Sequence, residues 1–267
     1  MTEAGRNGAR IPLSGLGLFL RSFLFFWTDP ERNFRRCRRG QYLGLIRLMN
    51  EFGFVYDDED RRFYFSQYGQ DKFVAEHLFP GMRNGVFVDV GAYDGVTLSN
   101  SCFFEREMGW TGLCVEPIPD VFRELVSNRP GSVCENVCVS NVEGELEFAR
   151  VEGVEALSGI ADRMDRRHRR RIEGEGGRVE MMRLPSLRLQ TLLDRHGIDR
   201  IHFLSIDTEG AELDVIQSLD FERTRVDVVC VENNSGERNV RRHLKRNGLA
   251  YLLTLGDLDD LYVRAGR

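Results

Sequence analysis

The strongest constraint on the fold of this chain is an alternation of short apolar runs with amphipathic segments that begins near residue 66. Strands that are apolar along their whole length are typical of a parallel sheet covered by helices on both faces. The sequence therefore predicts an α/β, doubly wound, mostly parallel sheet of the Rossmann-like type. The predicted strands are 86–90, 112–116, 133–139, 201–207, 226–232, 251–254 and 261–264, and the predicted helices are 97–108, 120–128, 187–196, 211–218 and 238–247.

Residues 1–65 lack this alternation and are predicted to form a helical, Arg-rich extension in front of a domain of residues 66–267. Within the extension, the apolar stretch 11–27 is followed by five arginines before residue 40. The favoured interpretation is a helix packed on the domain. The alternative is a peripheral anchor over residues 11–39, with aromatic side chains at the lipid headgroups and arginines on anionic lipid. We expect a cytoplasmic protein, either free or at the inner membrane surface.

Charge and cysteine usage narrow the classes of partner. The 37 Lys and Arg residues against 42 Asp and Glu give a net charge of −5, so a nucleic-acid partner is not expected. The six cysteines form no Cys-x-x-Cys pair and lie mostly in apolar runs, which indicates buried thiols in a reducing compartment rather than a metal site. The longest apolar stretch is too short to predict a spanning helix.

Acidic residues follow the predicted strands at the point where each strand ends. They lie at 89–95, 116–117, 135–136, 207–210 and 232–234. In doubly wound sheets the ligand binds beyond the carboxyl ends of the strands. Carboxylates are rarely buried without a partner, so this recurrence predicts a ligand site at that edge of the sheet.

The first strand ends in a glycine-containing turn that favours one class of nucleotide. A dinucleotide fingerprint needs glycine where Tyr93 stands, so NAD and FAD are disfavoured. Carboxylates at Asp89 and Asp94 suit a cationic ligand such as S-adenosylmethionine, and Glu116 could accept hydrogen bonds from its ribose. The predicted cofactor-binding residues are Asp89, Gly91, Tyr93, Asp94, Gly95, Glu116, Pro117, Asn136 and Asp207.

From about Ser66 to the C-terminus the sequence resembles the FkbM-type S-adenosylmethionine-dependent methyltransferases. The resemblance is found in five blocks, 66–71, 87–95, 114–117, 204–212 and 229–233, of which the Asp-x-Glu-Gly-x-Glu pattern at 207–212 is the most specific. It implies a class I methyltransferase fold, S-adenosylmethionine as donor, and O-methylation of a sugar or small metabolite. Residues 1–65 lie outside it.

Methylation of a hydroxyl requires a group that takes the proton of the acceptor. Asp207 at the end of the fourth long strand is the first candidate, followed by Glu209 and Glu232. Each could instead bind substrate hydroxyls or hold the loop. The three could also bind Mg²⁺, but no histidine joins them and no metal is predicted. Glu212 has two equal interpretations, a catalytic group and a charge at a helix N-terminus.

Residues 157–177 separate the third and fourth strands and contain six arginines, His168 and a glycine-rich end. The favoured interpretation is a solvated helix and loop. The alternative is an acceptor-recognition insert whose arginines bind a phosphorylated or carboxylated substrate. Among the scattered histidines, His168 is the one to test.

Two other functions compete with a glycan or small-molecule methyltransferase. A nucleic-acid methyltransferase of the exocyclic-amine type would end the fourth long strand in an Asn/Asp-Pro-Pro-aromatic turn, whereas this chain has Asp207-Thr-Glu-Gly210 there. A non-catalytic binding or membrane-scaffold domain is disfavoured because the glycine turn and Glu116 are intact. The sequence does not predict the oligomeric state.

Overall fold

The computed structural model describes residues 64–233, 238–256 and 258–265, which belong to one compact unit. The predicted extension, its boundary at 65/66 and the proposed anchor at 11–39 all lie outside or at the edge of these residues, so they stay predictions. No helix of the described ranges has the length and apolar character needed to cross a bilayer.

The described residues form eleven strands and seven α-helices. The strands are β1 (Val86–Val90), β2 (Thr111–Val115), β3 (Val133–Glu135), β4 (Cys138–Val139), β5 (Gly144–Glu152), β6 (Gly159–Ile160), β7 (Arg178–Leu187), β8 (Arg200–Ile206), β9 (Arg225–Glu232), β10 (Leu249–Leu255) and β11 (Asp259–Arg264). The helices are α1 (Gln70–Phe73, continued by a π-helical turn at Val74–Leu78), α2 (Cys102–Met108), α3 (Pro119–Asn128), α4 (Arg166–Gly174), α5 (Leu189–Arg195), α6 (Glu212–Gln217) and α7 (Arg238–Arg246).

A seven-stranded sheet of order β10-β11-β9-β8-β1-β2-β3 forms the centre of the domain. The five strands from β9 to β3 are parallel, and β11 and β10 are antiparallel at one edge. The apolar residues of the central strands are buried, as Val88, Leu204 and Val229 show. Burial on both faces explains why these strands are apolar without alternation, and the predicted doubly wound fold is confirmed.

Two local predictions were wrong near the glycine turn. Helix α2 begins at Cys102 instead of residue 97, because the chain before it turns through Leu98, which has a left-handed φ of 54°. The predicted strand 133–139 is two strands in different sheets, β3 and β4. Between them, the side-chain amide of Asn136 donates to the carbonyls of Glu116 and Pro117, which draws the chain away from β2.

The segment between β3 and β8 folds into a second sheet that the sequence analysis missed. Its order is β4-β7-β5-β6, and β5 and β7 form an antiparallel ladder from Gly144 to Glu152. The two faces of this ladder pack against different neighbours: Phe148 is buried with Ile118, and Val151, on the opposite face, is buried with Ile172 of α4. Met181 and Val179 on β7 are exposed. Within residues 157–177, α4 and the exposed turns beside it agree with the favoured prediction of a solvated helix and loop, whereas Gly159 and Ile160 form the buried strand β6. The strands that flank this segment, β5 and β7, were not predicted.

Candidate active site

A pocket opens at the carboxyl ends of β1, β2, β8 and β9. It lies where the strand order reverses, since β1 continues to β2 on one side and is flanked by β8 on the other. This is the position at which doubly wound sheets bind ligands. Of the predicted site residues, the pocket is lined by Asp89, Gly91, Tyr93, Glu116, Pro117, Asp207, Glu209 and Glu232.

Gly91 forms the junction of three strands at the base of the pocket. Its N–H donates to the carbonyl of Val115 at 3.0 Å, and the N–H of Asp207 donates to the carbonyl of Val90 at 3.0 Å. A Cβ on Gly91 would lie 1.8 Å from the carbonyl oxygen of Asp207, and its φ is +86°. Only glycine allows β1 and β8 to meet this closely and leaves the backbone open to a ligand.

Glu116 is buried beside the glycine turn and is held by two backbone donors. Its Oε2 accepts from the N–H of Tyr93 at 3.1 Å, and its Oε1 accepts from the N–H of Ile118 at 2.8 Å. Tyr93 has a left-handed φ of 51°, which aims its N–H at the carboxylate. Burial raises the pKa of Glu116 to about 8, although both backbone hydrogen bonds act in the opposite direction. The second lone pair of each oxygen is available to a ligand in the pocket.

Three predicted cofactor-binding residues do not line the pocket and instead support the turn. The Oδ1 of Asp94 accepts from the N–H groups of Val96 at 2.8 Å and Thr97 at 2.7 Å. A Cβ on Gly95 would lie 2.6 Å from side-chain atoms of helix α3 and the residue after it. Asn136 is used by the Glu116–Pro117 turn, as described above. These three residues therefore support the turns beside the pocket, and their contact with the cofactor stays a prediction.

Asn100 lines the same pocket and was missed by the sequence analysis, which placed it inside a helix. Its Nδ2 donates to the hydroxyl of Ser205 at 3.1 Å, whereas its buried Oδ1 has no hydrogen-bond partner in the described part of the chain. Asp89 lies on the adjacent strand, buried, and accepts from the hydroxyl of Ser101 at 2.5 Å. An unpartnered buried acceptor in a pocket indicates a site for a ligand donor group, such as an ammonium.

Residues of the 66–71 block line the pocket next to the start of β11. The Nε2 of Gln70 donates to Asp259, and both residues line the pocket together with Tyr68. Burial raises the pKa of Asp259 to about 6, and the hydrogen bond from Gln70 opposes the effect. These residues are far from the glycine turn in sequence, so only the topology brings them to the site.

The three predicted catalytic carboxylates come together in the pocket. Asp207, Glu209 and Glu232 each present an oxygen atom within 4.8 Å of the others. Asp207 lines the pocket. Its pKa is raised well above the ordinary value, mainly by burial and to a smaller extent by repulsion from Glu232 and Glu209. The same spacing could hold a metal ion, and Glu209 also contacts His168 and Arg171 of the insert. That the cluster takes up a proton and uses no metal stays a prediction.

The loop 207–212 is held in an unusual conformation. Glu209 has a left-handed φ of 53°, and Gly210 follows with a φ of 116°. The Oε1 of Glu212 accepts from the N–H groups of Thr208 at 3.2 Å and Gly210 at 2.8 Å. Glu212 therefore holds the backbone of the loop in place at the start of α6. This favours a structural role for Glu212 over a catalytic one.

The pocket is lined by many carboxyl groups and by few arginines of the insert. Among the described residues its only basic side chain is Arg171, against the carboxyl groups of Asp89, Glu116, Glu155, Asp207, Glu209, Glu232 and Asp259. The other arginines of the insert lie away from it; Arg163, for example, pairs with Asp214 at 2.5 Å.

Residues 89–251, more than half of the chain, match the methyltransferase FkbM domain family. The comparison with curated proteins gives no match. Similar solved structures include a TehB-like SAM-dependent methyltransferase from Corynebacterium glutamicum, 11% identical over 74% of this chain and 89% of that chain with a TM-score of 0.37. A methyltransferase from Pyrococcus furiosus is 13% identical over 82% and 96% of the two chains, also with a TM-score of 0.37. At these values the structural likenesses add nothing to the family match and the topology.

Proposed function

Because the chain belongs to the methyltransferase FkbM domain family, we propose that it methylates a hydroxyl group of an uncharged, sugar-like acceptor. Membership of this family makes it a methyltransferase with S-adenosylmethionine as donor. When bound, that donor supplies an electrophilic methyl group on a sulfonium. What the chain itself contributes is a binding site for the donor, an orientation for the acceptor and a destination for the acceptor's proton.

The residues of the glycine turn fit this donor. Gly91 lets a ligand approach the backbone where a Cβ would block it, and the free lone pairs of Glu116 suit two ribose hydroxyls. The unpartnered Oδ1 of Asn100 suits the ammonium group of the amino acid portion. The acidic surroundings favour a ligand that bears a sulfonium and an ammonium.

Asp207 is the proposed general base, and its environment is the observation on which this assignment rests. It projects into the pocket, and its pKa is raised by enclosure and by two neighbouring carboxylates. A carboxylate with a raised pKa is a stronger base than an ordinary one. With the donor bound to supply the methyl group to the acceptor oxygen, the proton of the hydroxyl would pass to a carboxylate oxygen of Asp207.

The charge of the pocket supports a neutral polyol as acceptor. Glu209 and Glu232 flank Asp207 and offer carboxylate oxygens, which accept hydrogen bonds from the hydroxyls of a sugar. Phosphate or carboxylate groups on the acceptor would be repelled by the same oxygens. The acidic lining also disfavours a nucleic-acid backbone, whose phosphates need basic partners.

Transfer of a radiolabelled methyl group from S-adenosylmethionine to a panel of acceptors tests the proposal. The panel contains methyl glycosides of neutral hexoses and deoxyhexoses, the matching sugar phosphates, and RNA and DNA oligonucleotides. We expect label on a hydroxyl of neutral glycosides, with sugar phosphates at least about tenfold poorer in kcat/KM. Preferential labelling of the phosphates or of nucleic acid would contradict the proposed acceptor class.

A further inference from the structure

His168 links the insert to the catalytic loop. It lies on α4, where its N–H donates to the Oδ1 of the N-cap residue Asp165 at 2.7 Å. The side chain is 10% exposed, with Nε2 at 2.8 Å from the carbonyl oxygen of Leu157 and Nδ1 at 3.2 Å from Oε2 of Glu209. The ring therefore lies between two acceptors.

Proton counting fixes the state of this contact. A carbonyl oxygen can only accept, so the Nε2 facing Leu157 bears a hydrogen. A neutral ring would then direct the lone pair of Nδ1 at a carboxylate oxygen of Glu209, which is repulsive. The contact therefore requires a second proton between Nδ1 and Oε2. Because the interaction with Glu209 raises the pKa of His168, we place that proton on the ring, which makes the contact an imidazolium–carboxylate pair.

Glu209 depends on this pair for its position. Its side chain is 8% exposed, and its buried Oε2 accepts no hydrogen bond among the described residues, so the ion-pair contact with Nδ1 of His168 at 3.2 Å is what faces this oxygen. Its other oxygen lies 3.6 Å from Nη1 of Arg171, whose side chain is 47% exposed at the pocket. The insert also touches the loop backbone, since a Cβ on Gly159 would lie 3.1 Å from the carbonyl oxygen of Glu209.

We propose that His168 is a positioning residue, whose imidazolium holds the carboxylate of Glu209 directed toward Asp207 in the pocket. Held there, Glu209 repels negative charge on Asp207 and so makes Asp207 a stronger base. This inference rests on the proposed function and adds to it a role for the insert. The charged groups that act on the imidazole are Glu209, from the loop after β8, and Arg171, from α4 itself; Leu157 adds its carbonyl.

The pair is tested without an acceptor by NMR titration of ¹³C/¹⁵N-labelled histidine in the full chain bound to S-adenosylhomocysteine. We expect His168 to keep its second proton to higher pH in the wild type than in Glu209→Gln. His196, which lies 2.7 Å from Oε1 of Glu135 outside the pocket, is the internal reference and should not respond to Glu209→Gln. A His168 titration that Glu209→Gln leaves unchanged overturns the proposal.

The positioning role is tested by the kinetics of methyl transfer to a neutral glycoside that the wild type accepts. His168→Gln should lower kcat by about 10- to 100-fold, part of the ~10²–10⁴ that proton transfer contributes, with S-adenosylhomocysteine affinity within about threefold. The imidazolium is present below its raised pKa and is lost as pH rises through it. The kcat of the wild type should therefore fall at alkaline pH. This fall should be absent in His168→Gln and present in His196→Gln.

Parallel losses of kcat, product affinity and melting temperature in His168→Gln would make the residue merely structural and overturn the proposal. An unchanged kcat would do the same. If the wild type methylates no glycoside, the proposed function fails, while the NMR titration still decides whether the His168–Glu209 pair exists. The two failures are therefore distinguishable.

Discussion

At the scale of single residues, the assignment of Asp207 makes the sharpest prediction. Asp207→Asn keeps the shape of the side chain but cannot accept a proton, so turnover should fall by about 10²–10⁴ with donor affinity within a few-fold. Because the pKa of Asp207 is raised, wild-type kcat should rise with pH through that pKa. Single-turnover methyl transfer across a pH series, with calorimetry for the donor, measures both effects.

Two controls separate a base from other roles for Asp207. The carboxylate of Asp214 pairs with Arg163 and does not line the pocket. Asp214→Asn should therefore leave turnover unchanged. EDTA should also have no effect, because no metal enters the proposed step. Activity that vanishes with EDTA and returns with Mg²⁺ would assign the three carboxylates to a metal instead.

Glu116 makes a prediction about donor binding and pH. Its pKa of about 8 in the free protein means that ribose hydroxyls must compete with a bound proton at neutral pH. Affinity for S-adenosylhomocysteine should therefore rise with pH, by at most about tenfold per unit, and level off above about 8. Glu116→Ala should remove this dependence and cost about 1.5 to 3 kcal/mol of binding free energy, measured by calorimetry.

Glu135 provides the matched control for Glu116. It ends the neighbouring strand and was flagged by the same sequence argument, but its side chain pairs with Arg195 and His196 instead of lining the pocket. Glu135→Ala should leave donor affinity and its pH dependence as they are in the wild type. If both variants behave alike, Glu116 does not bind the donor.

At the scale of elements, the junction of β1 with β8 depends on Gly91. Gly91→Ala combines a left-handed φ with a clash against the backbone of Asp207, so we expect a loss of about 2 to 5 kcal/mol of unfolding free energy and loss of donor binding. Gly153 has a nearly identical φ of +85° with nothing within 4 Å of its Cβ position. Gly153→Ala should therefore cost only about 1 to 2 kcal/mol. Urea unfolding measures both losses. If Gly91→Ala and Gly153→Ala lose the same unfolding free energy, the clash with Asp207 does not destabilise the protein and the prediction is wrong.

The central sheet was predictable because its strands are buried on both faces, which leaves an apolar run in the sequence. β1 was placed at its observed ends, and the acidic strand ends correctly indicated the pocket. The insert was not predictable in this way. β5 and β7 are half exposed and rich in charged residues. Their pairing joins residues 26 to 42 positions apart in sequence, from Glu152 with Arg178 to Gly144 with Ser186, and no local pattern specifies that register.

Side-chain roles at the site were harder to predict than their location. Asp94 and Asn136 were assigned to the cofactor by type and position, but neighbouring backbone groups use their polar atoms. Asn100 and Gln70 reach the pocket from a turn and from the domain's N-terminal edge. The contact between His168 and Glu209 joins two segments that are distant in sequence, and no sequence motif links them, so it could not be predicted from the sequence.

At the scale of the whole molecule, the described domain shows an acidic pocket and no helix able to span a membrane, while the sequence places a basic, aromatic stretch at residues 11–39. If this stretch is a peripheral anchor, the full-length protein should sediment with vesicles that contain anionic lipid. Raised salt should release it, because ions screen the attraction between arginine and lipid headgroups.

Substitution of three arginines distinguishes a specific anchor from general charge. Changing Arg35, Arg38 and Arg39 to Gln should weaken vesicle binding by about 3 kcal/mol, or roughly 100-fold, at ~1 kcal/mol for each basic residue near the surface. The same change at the exposed Arg166, Arg167 and Arg170 of α4 removes equal charge from the insert and should leave binding unchanged. Donor affinity should be the same in all three proteins. Equal weakening by both triple variants would point to diffuse electrostatic attraction, and no binding by the wild type would favour a helix packed on the domain.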